Sequence, residues 1–161
     1  MSLEISEEEF ETALEKALEY FPSITLKTEQ RNCLQSLIVS RKDVLGVLPT
    51  GYGKSLIYQL IPKIYSCFWK EKFMEDKTFQ VIVVSPLELI RTQQVSKLND
   101  LGIKSVALET CESGSDANEV EIVFGSAEQW LSQRWKQEIK SGSLKNASVL
   151  VVDEAHTVET W

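Results

Sequence analysis

Residues 80–84 (QVIVV) and 147–152 (ASVLVV) are apolar runs with almost no polar alternation. Strands of that kind need cover on both faces, which a one-sided sheet cannot give. Three further segments, 43–48, 105–108 and 121–124, read as strands of the same sort. Helical periodicity separates them. It runs from Lys54 along Ile57, Leu60, Ile61 and Ile64, where Pro62 is expected to bend or shorten the helix. It returns over 87–101, with Gly102 as the C-terminal cap, and over 127–141 before Gly142. Strands alternating with helices predict an α/β fold with a parallel sheet flanked by helices and right-handed crossovers. In such sheets ligands collect at the C-terminal ends of the strands.

Two helices come first. Ser6 and Glu9 have capping-box spacing, and Phe10, Ala13, Leu14, Ala17, Leu18 and Phe21 follow at helical intervals until Pro22. This amphipathic helix, within residues 1–21, is expected to precede the core. Thr28 is placed as the cap of a second helix running to about Ser40, with Leu34, Leu37 and Ile38 facing inward.

The chain of 161 residues suffices for one domain with a sizeable core, so 1–161 is read as a single unit. Its formal charge of −7 supplies no basic footprint for nucleic acid. Cys33, Cys67 and Cys111 are widely spaced and make no metal-ligand pattern. No apolar run is long enough for a membrane span, and the acidic N-terminus lacks a targeting core, so a nuclear or cytoplasmic location is expected. Residues 109–119 are polar and small, and read as a surface loop.

Residues 48–55 read LPTGYGKS. The phosphate-loop pattern G-x-x-x-x-G-K-[ST] would place its first glycine at position 48, which is Leu48. Gly51 and Gly53 allow backbone conformations closed to other residues, so that N–H groups can converge on phosphate oxygens. The helix that follows adds its positive end. Lys54 would reach the outer phosphates, and the Ser55 hydroxyl would ligate magnesium. The plain alternative is a strand–helix turn that happens to contain Gly-Lys-Ser.

The second motif is Asp153-Glu154-Ala155-His156, at the tip of the last apolar run. Asp153 suits the metal of a magnesium-bound triphosphate, and Glu154 the orientation of an attacking water. His156, the single histidine, has no partners for a structural metal site. It either joins Lys54, Asp153 and Glu154 in the catalytic set or is a partly buried histidine with its hydrogen bonds satisfied.

On these residues the chain resembles a known family. LPTGYGKSLIYQL, VVSPLELIRTQQVSKLNDLGI and VVDEAHTVETW look like motifs I, Ia and II of RecQ-type helicases, superfamily 2 motors that move 3′ to 5′ on DNA using ATP. In the wider group the loop runs T-G-x-G-K-[ST], with Thr50-Gly51 supplying the tight turn, so Leu48 marks the class. Tyr52 between the glycines is similar to the Werner-type branch. The likeness covers residues 21–161 and implies a RecA-like P-loop NTPase lobe. It also implies ATP and Mg2+ as ligands, and DNA at a single-strand/duplex junction as the partner of the intact parent.

The resemblance assigns further roles. Leu26-Lys27-Thr28-Glu29-Gln30 matches the family's adenine motif, usually F-R-x-x-Q, in which Gln30 would hydrogen-bond the adenine edge. Lys27 stands where the family has an arginine that stacks on the base, and a lysine is not a planar cation. Without the likeness, Gln30 reads as an exposed helix residue. Thr50, Gly51, Tyr52, Gly53, Lys54 and Ser55 would hold the nucleotide, with Ser55 and Asp153 on the metal. Ser85 and Pro86 resemble a motif that touches the DNA backbone, and Ser126 the start of another; a helix N-cap is an equal reading of Ser126. Trp161 matches a tryptophan that stacks on a base.

The family's motor has two such lobes, and the second supplies an arginine finger. The present residues read as one ATP-binding lobe, incomplete at its C-terminus and truncated after motif II. They lack the serine-alanine-threonine strand that in related folds lies between the loop strand and the DEAH strand, so a gap near the centre of the sheet is expected. A truncated non-catalytic module that binds nucleotide or a partner is the second reading. A lobe of an RNA helicase is another. DEAH and the SPL segment count against a small-molecule kinase.

Overall fold

In a computed structural model of the chain, residues 3–49, 51–111, 119–142, 144 and 147–154 are described. The chain divides into two compact units, Met1–Lys77 and Thr78–Trp161.

The first unit is helical: α1 (Glu7–Leu18), α2 (Thr28–Ile38) and α3 (Lys54–Phe73). The predicted capping box is present. The Ser6 hydroxyl accepts the Glu9 N–H at 3.2 Å, and the Glu9 carboxylate accepts the Ser6 N–H at 2.9 Å. Phe10, Ala13, Leu14 and Ala17 are buried, and α1 packs along α3. In α2 the cap position falls on Lys27 rather than Thr28, because the Gln30 side chain turns back to accept the Lys27 N–H at 2.9 Å. This helix stops at Ile38, short of Ser40, and buries Leu34 and Ile38 but only part of Leu37. Pro62 does not shorten α3, which runs 20 residues through it. The helix loses one N–H bond there, while Leu60, Ile61 and Ile64 are fully buried around the proline and hold its line.

Residues 43–48 correct an expectation: they form no strand. Leu45 is 79% and Val47 83% exposed. A β-branched run carries strand propensity, but the conformation is held by a ladder and by packing on a pleated face. Among the described residues no ladder bond reaches this segment.

The second unit holds β1 (Gln80–Val84), α4 (Glu88–Asp100), β2 (Ser105–Ala107), β3 (Ile122–Gly125), α5 (Ala127–Trp130), α6 (Gln133–Lys140) and β4 (Ala147–Val152). The strands form one parallel sheet in the order β2-β3-β1-β4, so the predicted α/β class and parallel pairing hold. Val81 in central β1 faces Ile122 on one side and Val149 on the other. Gly102 ends α4 as expected, with φ +81° and the Ile103 N–H returning to Leu98 O at 2.9 Å. The strand predicted at 105–108 stops at Ala107, where a 3-10 turn begins at Leu108. The helix predicted over 127–141 is two helices, because the Ser132 hydroxyl accepts the Trp135 N–H and starts α6 afresh. Val84, Leu108, Val123, Trp130 and Trp135 share a core, the two indole rings 5.8 Å apart and nearly edge-on.

β4 departs from the reading of a doubly covered strand. It is the sheet's edge, pairing with β1 among the described residues, and Leu150 is 65% exposed. No helix among the described residues is long and apolar enough to cross a membrane.

Candidate functional site

In the first unit the loop enters α3 through two left-handed residues, Gly51 at φ +80° and Gly53 at φ +83°. The Tyr52 N–H turns back to Pro49 O at 3.1 Å, which closes the turn. Gly53 is required twice over. Its φ disfavours any side chain, and a Cβ there would lie 2.6 Å from Gln30 Nε2.

Gln30 explains that closeness. It is buried, not on the exposed helix face that the sequence also allowed. Its amide nitrogen donates to Tyr52 O at 3.2 Å and Gly53 O at 2.8 Å, while its oxygen accepts the Lys27 N–H. In a trans peptide the C=O and N–H point in opposite directions. Two carbonyls turned toward Gln30 therefore turn the N–H groups of Gly53 and Lys54 away from it. These are the groups at the positive end of a 20-residue helix. Among the described residues no ion pair engages the Lys54 ammonium.

The loop apex is fastened at a second point. The Lys27 ammonium lies 4.1 Å from the centre of the Tyr52 ring and donates to Tyr52 O at 3.1 Å. The Tyr52 hydroxyl donates to the Glu29 carboxylate. That bond holds Glu29 below its ordinary pKa and lifts the Tyr52 phenol above its own. Lys27, Gln30, Tyr52 and Gly53 are thus brought together, with Glu29 as a member that sequence reasoning missed.

In the second unit, Asp153 follows β4 directly. Its N–H donates to Val84 O at 2.9 Å, which extends the ladder one step and fixes the carboxylate at the strand's C-terminal tip. Asp153 Oδ1 accepts the Glu154 N–H at 3.0 Å. Glu154 has φ +55°, a left-handed conformation uncommon for a non-glycine residue. No group of three His, Cys, Asp or Glu suited to a metal occurs among the described residues. Magnesium tolerates such a site, since it keeps waters and leans on substrate phosphates with one or two carboxylates.

Ser85, expected at a DNA-facing position, is 3% exposed, and its N–H donates to Gly125 O. Its carbonyl accepts Arg91 Nη1 at 2.6 Å, and Arg91 is paired with Glu109, so the turn after β1 is braced from beneath. Outward at this turn are part of Pro86 and the exposed Leu87, Glu88 and Leu89. Ser126 is an N-cap: its hydroxyl accepts the Gln129 N–H at 3.1 Å in a capping box. Thr50, Ala155, His156 and Trp161 lie outside the described residues, as do 112–118 of the loop read at 109–119. Gly51–Ser55 and Asp153–Glu154 belong to different units.

Comparison with known proteins follows the same residues. The DEAD/DEAH box helicase family matches residues 27–161. The chain is 28% identical over 156 residues to the ATP-dependent helicase wrn-1 of Caenorhabditis elegans, a match covering 92% of this chain and 13% of that protein. It is 31% identical over 159 residues to the probable ATP-dependent DNA helicase RecS of Bacillus subtilis (strain 168), covering 93% and 29%. It is 26% identical over 147 residues to the bifunctional 3'-5' exonuclease/ATP-dependent helicase WRN of Mus musculus, covering 88% and 10%. The chain therefore spans less than a third of the length of each of these relatives.

Proposed function

The chain belongs to the DEAD/DEAH box helicase family, and from that premise we propose that it is the ATP-binding, RecA-like lobe of a RecQ-like 3′–5′ DNA helicase. The observation that carries the reading is the orientation of the loop. Gln30 holds the Tyr52 and Gly53 carbonyls, so the N–H groups of Gly53 and Lys54 face away at the head of α3. That is a preformed anion cradle.

Within it Lys54 contributes a positive point charge toward the outer phosphates. Ser55 and Asp153 would hold Mg2+, which when bound neutralises charge on the phosphate oxygens. Glu154 would orient the attacking water and draw its proton. The amide donors of Gln30 are committed to the loop, and its oxygen keeps a free lone pair. That lone pair accepts from an amino group, as adenine presents, and repels a carbonyl, as guanine presents.

In the family a second lobe provides an arginine finger, worth about 10³- to 10⁵-fold in related NTPases. The 161 residues by themselves are therefore expected to bind ATP and hydrolyse it slowly. The name of the RecS relative specifies DNA, which supports DNA over RNA as the parent's track. Such a substrate puts the work in a nucleus, or in the cytoplasm of a cell without one.

The test is a titration of a fluorescent adenine nucleotide against wild type and Lys54→Ala. The variant is expected to bind at least about tenfold more weakly, the loss of roughly one charge-assisted contact. Equal affinities would remove the cradle. Several turnovers per second from the purified chain, abolished by Lys54→Ala, would show that no second lobe is needed.

A further inference from the structure

We propose that Glu29 and Tyr52 are positioning residues for the phosphate loop: a latch in which the Glu29 carboxylate, through the Tyr52 hydroxyl, keeps the loop amides aimed at an anion. The proposal rests on the phosphate-cradle reading above and adds to it a device that reaches outside the loop, to Glu29 of α2.

Tyr52 sits between the two left-handed glycines, at the most yielding point of the loop. Gln30 grips its backbone from one side, through the carbonyls of Tyr52 and Gly53. A peptide held only at its oxygen can still swing about the flanking glycine torsions. The Tyr52 side chain removes that freedom. Its hydroxyl end is tied to Glu29, its ring carries the Lys27 ammonium at 4.1 Å, and the same ammonium donates to the Tyr52 carbonyl at 3.1 Å. Lys27, Glu29 and Gln30 all stand at the first turn of α2, so one rigid helix end holds the loop by backbone and by side chain together.

The charges are arranged for the task. Lys27 and Glu29 neutralise each other beside the loop, so the latch adds no net negative charge near a bound phosphate. Lys54 takes part in none of these contacts. Order at the apex is supplied before ligand arrives, and binding then costs less ordering entropy. Glu29 and Tyr52 reach no phosphate in this scheme; they act through the backbone of Gly53 and Lys54.

Inorganic tripolyphosphate, which has no base, isolates the phosphate part of the site. Calorimetric titration is expected to give about three- to tenfold weaker binding for Tyr52→Phe and for Glu29→Ala, the scale of one hydrogen bond. The double variant should be no weaker than either single one, because both remove the same bond. Glu29→Gln, which keeps an acceptor oxygen, should stay within about twofold of wild type. Without ligand, amide exchange over 51–55 should quicken in Tyr52→Phe and Glu29→Ala while exchange in α1 is unchanged. Unaltered exchange at 51–55 in both variants overturns the latch. Unaltered tripolyphosphate affinity in both, with Lys54→Ala still weakened, overturns its role in binding. Should Lys54→Ala bind as wild type does, the cradle itself is wrong, and exchange alone decides whether the latch orders the loop.

Discussion

The side-chain amide of Gln30 donates to the carbonyl oxygen of Gly53 at 2.8 Å, across 23 residues of chain. A buried donor serving two carbonyls is costly to delete. Gln30→Ala is expected to lower stability by about 1–3 kcal/mol, the scale of two hydrogen bonds, although Tyr52 O keeps the Lys27 ammonium and Gly53 O keeps the Leu56 N–H. Chemical denaturation measures this, and an unchanged midpoint would mean that water serves the carbonyls equally well.

Gly125 ends β3 under tight cover. A Cβ added there would lie 2.6 Å from Leu108 Cδ1 and 2.7 Å from Trp130 Nε1, and that indole N–H donates to Val83 O. Gly125→Ala should therefore cost about 1–3 kcal/mol by overpacking. The near-ultraviolet circular dichroism of the tryptophans should change with it. Native spectra and stability would show that the core yields without loss.

Arg91 is 5% exposed at its side chain and pairs with Glu109, itself 24% exposed. Glu109 keeps contact with water, so its charge is only partly uncompensated once Arg91 is removed, and Arg91→Ala should destabilise by about 1–3 kcal/mol. Arg91 also supports the Ser85 carbonyl, a bond that Glu109→Ala leaves intact. A double-mutant cycle should show positive coupling between the two side chains. Additive losses would reduce the pair to two separate contacts.

The latch also sets a pH window. Glu29 is held below its ordinary 4.5, chiefly by the Tyr52 hydroxyl, so its contribution is present above 4.5 and fades as pH falls through the lowered value. Tyr52 is raised above its ordinary 10.0, chiefly by the bond to Glu29, so its contribution is full below 10.0 and fades as pH climbs through the raised value. Amide exchange at 51–55, corrected for intrinsic rate, should be slowest between these limits and should differ between wild type and Tyr52→Phe only there. A difference that persists well below 4.5 would refute the assignment.

What the sequence revealed was whatever depends on near neighbours. The Ser6–Glu9 box spans three residues, the Gly102 terminus needs one left-handed residue, and QVIVV has no plausible place but a covered strand. Residues 43–48 read equally well as a strand, yet strand character is a property of a pair, and the segment found no partner among the described residues. The helix over 127–141 misled for a related reason: Ser132 competes for a backbone N–H, and only the chain's path decides which turn it caps. At the site, Gly51, Gly53 and Lys54 were legible because their spacing is itself the chemistry. Glu29 was not, since an acid in the first turn of a helix needs no other explanation than the helix dipole. Arg91 was hidden likewise: a charge in a helix reads as a solvated face until its partner, 18 residues on, is known.

β4 offers six residues with neither charge nor proline, and among the described residues it forms the sheet's rim. Natural sheets guard such rims with lysines or breaks in the ladder, because an unguarded one templates pairing with any extended chain it meets. The purified chain should accordingly cloud as it is concentrated, and a lysine substitution at Leu150 should keep it clear.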